Sequence, residues 1–134
     1  MAASHRFVEH TGEVELELTA PTMPGLFEEA VAALGELVGP GDGPSAATAW
    51  EVSVRADDDA ALLAAWLDEL VFRAEADGLL PLRAERVTVD GGTARGRVTG
   101  RRGAAPHLVK GVTYHRLAVE PHDGGWRARV VLDV

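Results

Sequence analysis

The chain has 134 residues, 46% apolar and 25% charged, a globular mixture with enough apolar mass for one core and a single domain over residues 1–134. Its 21 acidic against 13 basic side chains give a formal net charge of -8, which argues against bulk attraction to nucleic acid or an anionic membrane and leaves room for a local basic patch or a basic partner. There is no cysteine, so disulfides, thiolate metal sites, iron–sulfur clusters and a cysteine nucleophile are excluded.

The start, Met1 to Arg6, turns polar at once and has no apolar secretory core. The longest apolar run, Ala60 to Leu67, is far too short to span a bilayer, and the expected location is the cytoplasm. Residues 13–18 alternate strictly, which predicts a half-buried strand with Val14, Leu16 and Leu18 inward and Glu13, Glu15 and Glu17 on the other face. That face is solvated at Glu15 and Glu17, whereas Glu13, at the strand's start beside His10 and Gly12, is better placed for a metal ligand. Thr22 is a helix cap with Pro24 in the first turn. Phe27, Ala30, Val31, Leu34, Leu37 and Val38 follow at helical spacing until Gly39-Pro40 ends the helix. Residues 39–49, rich in Gly, Pro, Ala and Ser, read as a surface loop.

Trp50, Val52 and Val54 alternate with polar residues in a second strand. Asp57-Asp58-Asp59 supplies a cap and negative charge for a second helix, whose buried stripe is Leu62, Leu63, Trp66, Leu67, Leu70 and Ala74, with Gly78 as its stop. Residues 83–99 form a hairpin about Asp90-Gly91-Gly92, residues 100–110 a second irregular loop, and two last strands, roughly 111–120 and 126–133, flank Pro121 to Gly125. The expectation is an α+β two-layer sandwich: a mostly antiparallel six-stranded sheet with two helices on one face.

Chemistry-bearing residues are sparse. Serine occurs only at 4, 45 and 53, none in a nucleophile elbow. Gly39 to Pro44 lacks the lysine of a phosphate-binding loop and follows a helix, so it reads as linker. The five histidines, His5, His10, His107, His115 and His122, show no zinc spacing. His115 alternates with apolar strand positions and suits a hydrogen-bonded boundary histidine; His107, in the loop, is a contact residue or simply solvated. Arg95, Arg97, Arg101, Arg102 and Lys110 form the one basic concentration, either the charged face of an edge strand or a patch for a phosphate or acidic partner. At the close of the sequence, Asp133-Val134 sets a carboxylate side chain beside a terminal carboxylate. Glu13 follows the segment Glu9-His10-Thr11-Gly12 near the start. If first and last strands are neighbours, these oxygens would suit a hard divalent cation; otherwise Asp133 is a polar residue ending a strand.

Four blocks in order resemble the archease family across nearly the whole chain: Glu9-His10-Thr11-Gly12-Glu13-Val14, Ala65 to Phe72, Lys110-Gly111-Val112-Thr113-Tyr114-His115, and Val130-Val131-Leu132-Asp133-Val134. The resemblance implies a small cytosolic protein that is not itself an enzyme. It would activate the RtcB-type RNA ligase of tRNA splicing and RNA repair, promoting ligase guanylylation and multiple turnover, and would meet RNA only through that ligase and no membrane. It further implies a divalent-ion site, for calcium, on Glu13, Asp133 and Val134, with His10, His107, Lys110 and His115 as candidate partner contacts. The family signature has Asp where this chain has Glu13, and Ala where it has Gly12; the longer acid changes reach, and the glycine lets the backbone compensate. Two readings of other classes stand beside it: a metal-dependent hydrolase using Glu13 and Asp133, and a metal-free interaction module.

Overall fold

A computed structural model describes residues 2–41, 47–105, 107 and 109–134. The elements run β1 (Ser4–His10), β2 (Glu13–Ala20), α1 (Met23–Val38), β3 (Ala47–Arg55), α2 (Asp59–Asp77), β4 (Leu79–Asp90), β5 (Thr93–Arg102), β6 (Gly111–His122) and β7 (Gly125–Asp133). The strands pair antiparallel throughout, in a four-stranded sheet of order β1-β2-β7-β6 and a three-stranded sheet of order β3-β5-β4.

The α+β class, the antiparallel strands and the two helices agree with the sequence reading. The strand count does not: among the described residues there are seven, not six, divided between two sheets. The added strand is β1, whose only apolar residues, Phe7 and Val8, are adjacent and give no alternating signal. Both helices touch strands of both sheets, so the helical layer joins them instead of covering one face of a single sheet. The second loop also begins later than expected, because Gly100, Arg101 and Arg102 complete β5. Part of the loop expected over 39–49, at 42–46, and two positions of the 100–110 loop lie outside the described residues.

The helix ends follow the capping residues. The Thr22 hydroxyl accepts from the Gly25 N–H at 3.1 Å and the Asp58 carboxylate from the Ala61 N–H at 2.8 Å, each satisfying a donor that the first turn leaves open. Gly78 ends α2 in the left-handed region at φ 65°. Between the sheets the two helices meet at Phe27 and Trp66, both fully buried, with ring centroids 5.7 Å apart in an edge-on arrangement. The Trp66 indole N–H donates to the Phe27 carbonyl at 3.2 Å, so its one polar atom is satisfied inside the core. β5 accommodates that indole with glycine: a Cβ on Gly96 would lie 3.0 Å from the Trp66 ring and 2.9 Å from Val87.

One titratable group sits at the join of β1 and α1. His5 Nδ1 lies 2.5 Å from Glu29, and Nε2 meets Glu36. Burial, the largest single influence, works against the imidazolium, but the hydrogen bonds and charges of Glu29 and Glu36 together outweigh it and raise the His5 pKa above the ordinary histidine value. A raised folded-state pKa contributes stability that is fully present below about pH 6.5 and is lost as pH climbs through the folded value. Thermal unfolding should therefore show stability falling as pH rises above about 6.5, and His5→Gln should flatten that slope; an unchanged slope in the variant would show that another group sets it.

Candidate functional site

β2 and β7 are central neighbours in the four-stranded sheet, in a register that pairs Glu13 with Asp133. The same row continues to His10 on β1 and Gly111 on β6. Directly opposed residues of antiparallel strands point to one face with Cβ atoms about 5 Å apart, so the Glu13 and Asp133 side chains leave the sheet side by side. The turn that makes this possible is Thr11-Gly12, where Gly12 has φ 75° and open space around it. The end is then tied together by main-chain bonds: the Val134 N–H donates to the Gly12 carbonyl at 3.1 Å, and the Lys110 N–H to the Asp133 carbonyl at 2.7 Å. Glu13 is half-buried, whereas His10, Asp133, Val134 and Lys110 are exposed.

The other candidate contacts fall elsewhere. His107 is exposed and fixed by its N–H, which donates to the Val38 carbonyl at the end of α1 at 3.3 Å. His115 is exposed on β6 in a register break between Thr113 and Ala118. Tyr114 to Leu117 thus arch out opposite Val130 alone, with Tyr114 64% exposed and Arg116 at φ 60°.

The arch also accounts for a correction. Glu15, expected on a solvated face, is only 5% exposed. Arg116 reaches over β7 to put its Nη1 3.0 Å from the Glu15 carboxylate, and Arg129 Nε stands 3.7 Å from the same oxygen. Neither contact is an aligned hydrogen bond, so the pair is held by charge. The sequence alternation placed Glu15 on the correct side of the strand but contained no sign that Arg116, on a strand far downstream, would cover it. Glu17, by contrast, is partly open and hydrogen-bonded to Arg6.

The donor chemistry at the sheet end suits a hard cation in part. Two adjacent carboxylates and nearby main-chain oxygens are the ligand types that calcium and magnesium take. Among the described residues, however, no three His, Cys, Asp or Glu side chains converge on a metal position. An ion bound by Glu13 and Asp133 would complete its shell with main-chain oxygens, water or oxygens from another molecule.

Residues 5–134 match the model of the archease protein family. The chain belongs to the archease family. It is 34% identical over 135 residues to protein archease of Methanopyrus kandleri, covering 95% of this chain and 96% of that one. It is 30% identical over 139 residues to a probable protein archease of Mycobacterium tuberculosis, covering 99% of this chain and 76% of that one. Two solved structures share the archease fold. The solution structure of Methanobacterium thermoautotrophicum protein 1598 has a TM-score of 0.70 at 24% identity and covers 97% of this chain and 98% of that one. A crystal structure from Thermotoga maritima, described as an archease and possible chaperone, has a TM-score of 0.71 at 19% identity and covers both chains completely. Among the described residues, no helix is long and apolar enough to cross a membrane.

Proposed function

We propose that this archease is a cytoplasmic, non-catalytic activator of an RtcB-type RNA ligase, working through the end of the four-stranded sheet. The observation that carries the reading is the Glu13–Asp133 register at an exposed sheet end, in a chain of the archease family. The possible-chaperone description of the Thermotoga maritima protein agrees with an action exerted on another protein. In this reading Glu13 and Asp133 hold a divalent cation, calcium for preference, with main-chain oxygens at Val134. The ion would supply positive charge, and an incomplete ligand shell, where the partner's active site meets the tip. Lys110 and His10 flank the carboxylates and would contact the partner's rim; His115 on the arch and His107 beside the end of α1 would make separate contacts with it. Any RNA is met through the ligase.

The test compares ligase guanylylation with no activator, wild-type protein, and Asp133→Ala. Asp133→Ala should reduce stimulation to the level of ligase alone and weaken calcium binding, read by calorimetry, at least tenfold. Equal stimulation by a folded Asp133→Ala protein would remove the carboxylate pair from the mechanism. Equal stimulation with calcium binding lost would separate the ion from the activation. A hydrolase reading requires turnover by the isolated protein, and two carboxylates without a converging third side-chain donor among the described residues give it little support.

A further inference from the structure

The three-stranded sheet has a solvent face whose charge runs against the composition of the chain. β5 is its central strand, not an edge. Ala94, Gly96, Val98 and Gly100 point inward and are buried, which sends Arg95, Arg97, Thr99 and Arg101 outward in one line. Arg83 stands opposite Thr99 on β4. Among the described residues Arg97 has only loose partners, Glu51 at 3.9 Å and Glu85 at 3.8 Å, with all three side chains close to half exposed or more. Such pairs hold little energy. Arg95 is flanked by Ser53 and Thr88. Elsewhere in this acid-rich chain the pattern is opposite: Arg6, Arg73 and Arg127 each hydrogen-bond a carboxylate.

Beside the arginine line lies an open groove of about 580 Å³. Ala47 and Ala49 give it a small-residue floor, Arg83 and Arg97 line it, and Leu82, 47% exposed, forms an apolar wall at the β4 bulge. The groove thus offers guanidinium groups and apolar surface together. We infer that this face is a docking site for an extended acidic polypeptide segment with interspersed apolar side chains. Alternate residues of an extended strand repeat at about 6.8 Å, the spacing of Arg95 and Arg97, so acids on every second position of a bound segment can meet both in step. An apolar residue of that segment covers Leu82. A nucleic-acid backbone matches the charge but not the apolar wall, and no aromatic side chain points outward from these strands among the described residues to stack a base. The overall charge of -8 does not prevent docking, because charges more than about 8 Å away are screened at physiological salt.

The test measures fluorescence anisotropy of a labelled twelve-residue peptide alternating glutamate with leucine and threonine, against a glutamine-for-glutamate version, a single-stranded RNA and an RNA duplex. Wild-type protein should bind the acidic peptide saturably and the neutral version at least tenfold more weakly. Arg95→Glu with Arg97→Glu should weaken the acidic peptide at least tenfold and Leu82→Asp at least fivefold, whereas Arg6→Glu, on the other sheet, should leave it unchanged. Circular dichroism checks folding, and Arg95→Gln with Arg97→Gln replaces the reversal if that variant unfolds. Absence of saturable peptide binding, or peptide binding unaffected in the folded arginine variants, overturns the proposal. So does tighter binding of either RNA that the same variants abolish, which would assign the face to nucleic acid.

Discussion

Trp66→Ala should lower stability by about 3–5 kcal/mol, since it removes the largest buried side chain and leaves a cavity between helix and sheet. In a domain of 134 residues this is a fall in Tm on the order of 10–20 °C, read by calorimetry or circular dichroism. Three contacts are lost together: the edge-on packing with Phe27, the indole hydrogen bond to its carbonyl, and the filling of the hollow over Gly96. Trp66→Phe, which retains an aromatic ring and loses the hydrogen bond, should cost clearly less. Gly96→Ala should be harmful in the wild-type chain and less so beside Trp66→Ala, because the two sites share one space. A loss under 1 kcal/mol for Trp66→Ala would mean that the helices close the gap on their own.

Gly100→Ala should cost about 3 kcal/mol or more, although it adds one methyl group. The new Cβ would stand 1.9 Å from the Leu80 carbonyl oxygen and 2.9 Å from its carbon, and backbone atoms cannot swing aside as a side-chain tip can. The penalty is steric and not conformational, since Gly100 is not among the positive-φ glycines. Gly91→Ala is the matched comparison: its φ is 57° and nothing lies within 4 Å of the new methyl, so only about 1 kcal/mol of backbone strain is expected. Denaturant midpoints should place Gly100→Ala well below Gly91→Ala, with amide exchange speeding up in β4 and β5. Similar midpoints would show that β4 can retreat from β5 at no cost.

What the sequence disclosed follows from how local each signal is. Helical spacing of Leu62, Leu63, Trp66, Leu67 and Leu70, and the caps Thr22 and Asp58, depend on neighbours a few positions away, and all are found as read. The neighbouring of β2 and β7 was open in the residues alone, because it joins positions 13 and 133. Conditional on that neighbouring, the pairing of Glu13 with Asp133 follows, and the register supplies it. The second sheet was hidden for the same reason: nothing in Trp50 to Arg55 states which strand it will adjoin. The arginine line was visible as a shared face on one strand, but its central place in a sheet required the order β3-β5-β4. Least legible was the burial of Glu15, which depends on a long-range arginine and on a left-handed backbone at a residue that seldom adopts one.

The arch at Tyr114 to Leu117 has one more consequence, for association between copies of the chain. β6 is the outer strand of its sheet, and twelve residues of flat, unpaired backbone would offer a template on which a second chain could extend the sheet. The register break cuts that run into Gly111–Thr113 and Ala118–His122, neither long enough to seed a stable ribbon by itself. Arg116, in the left-handed region, and its buried partner Glu15 therefore shape the edge as well as the face: the break they hold leaves no long regular run of outer strand to be copied.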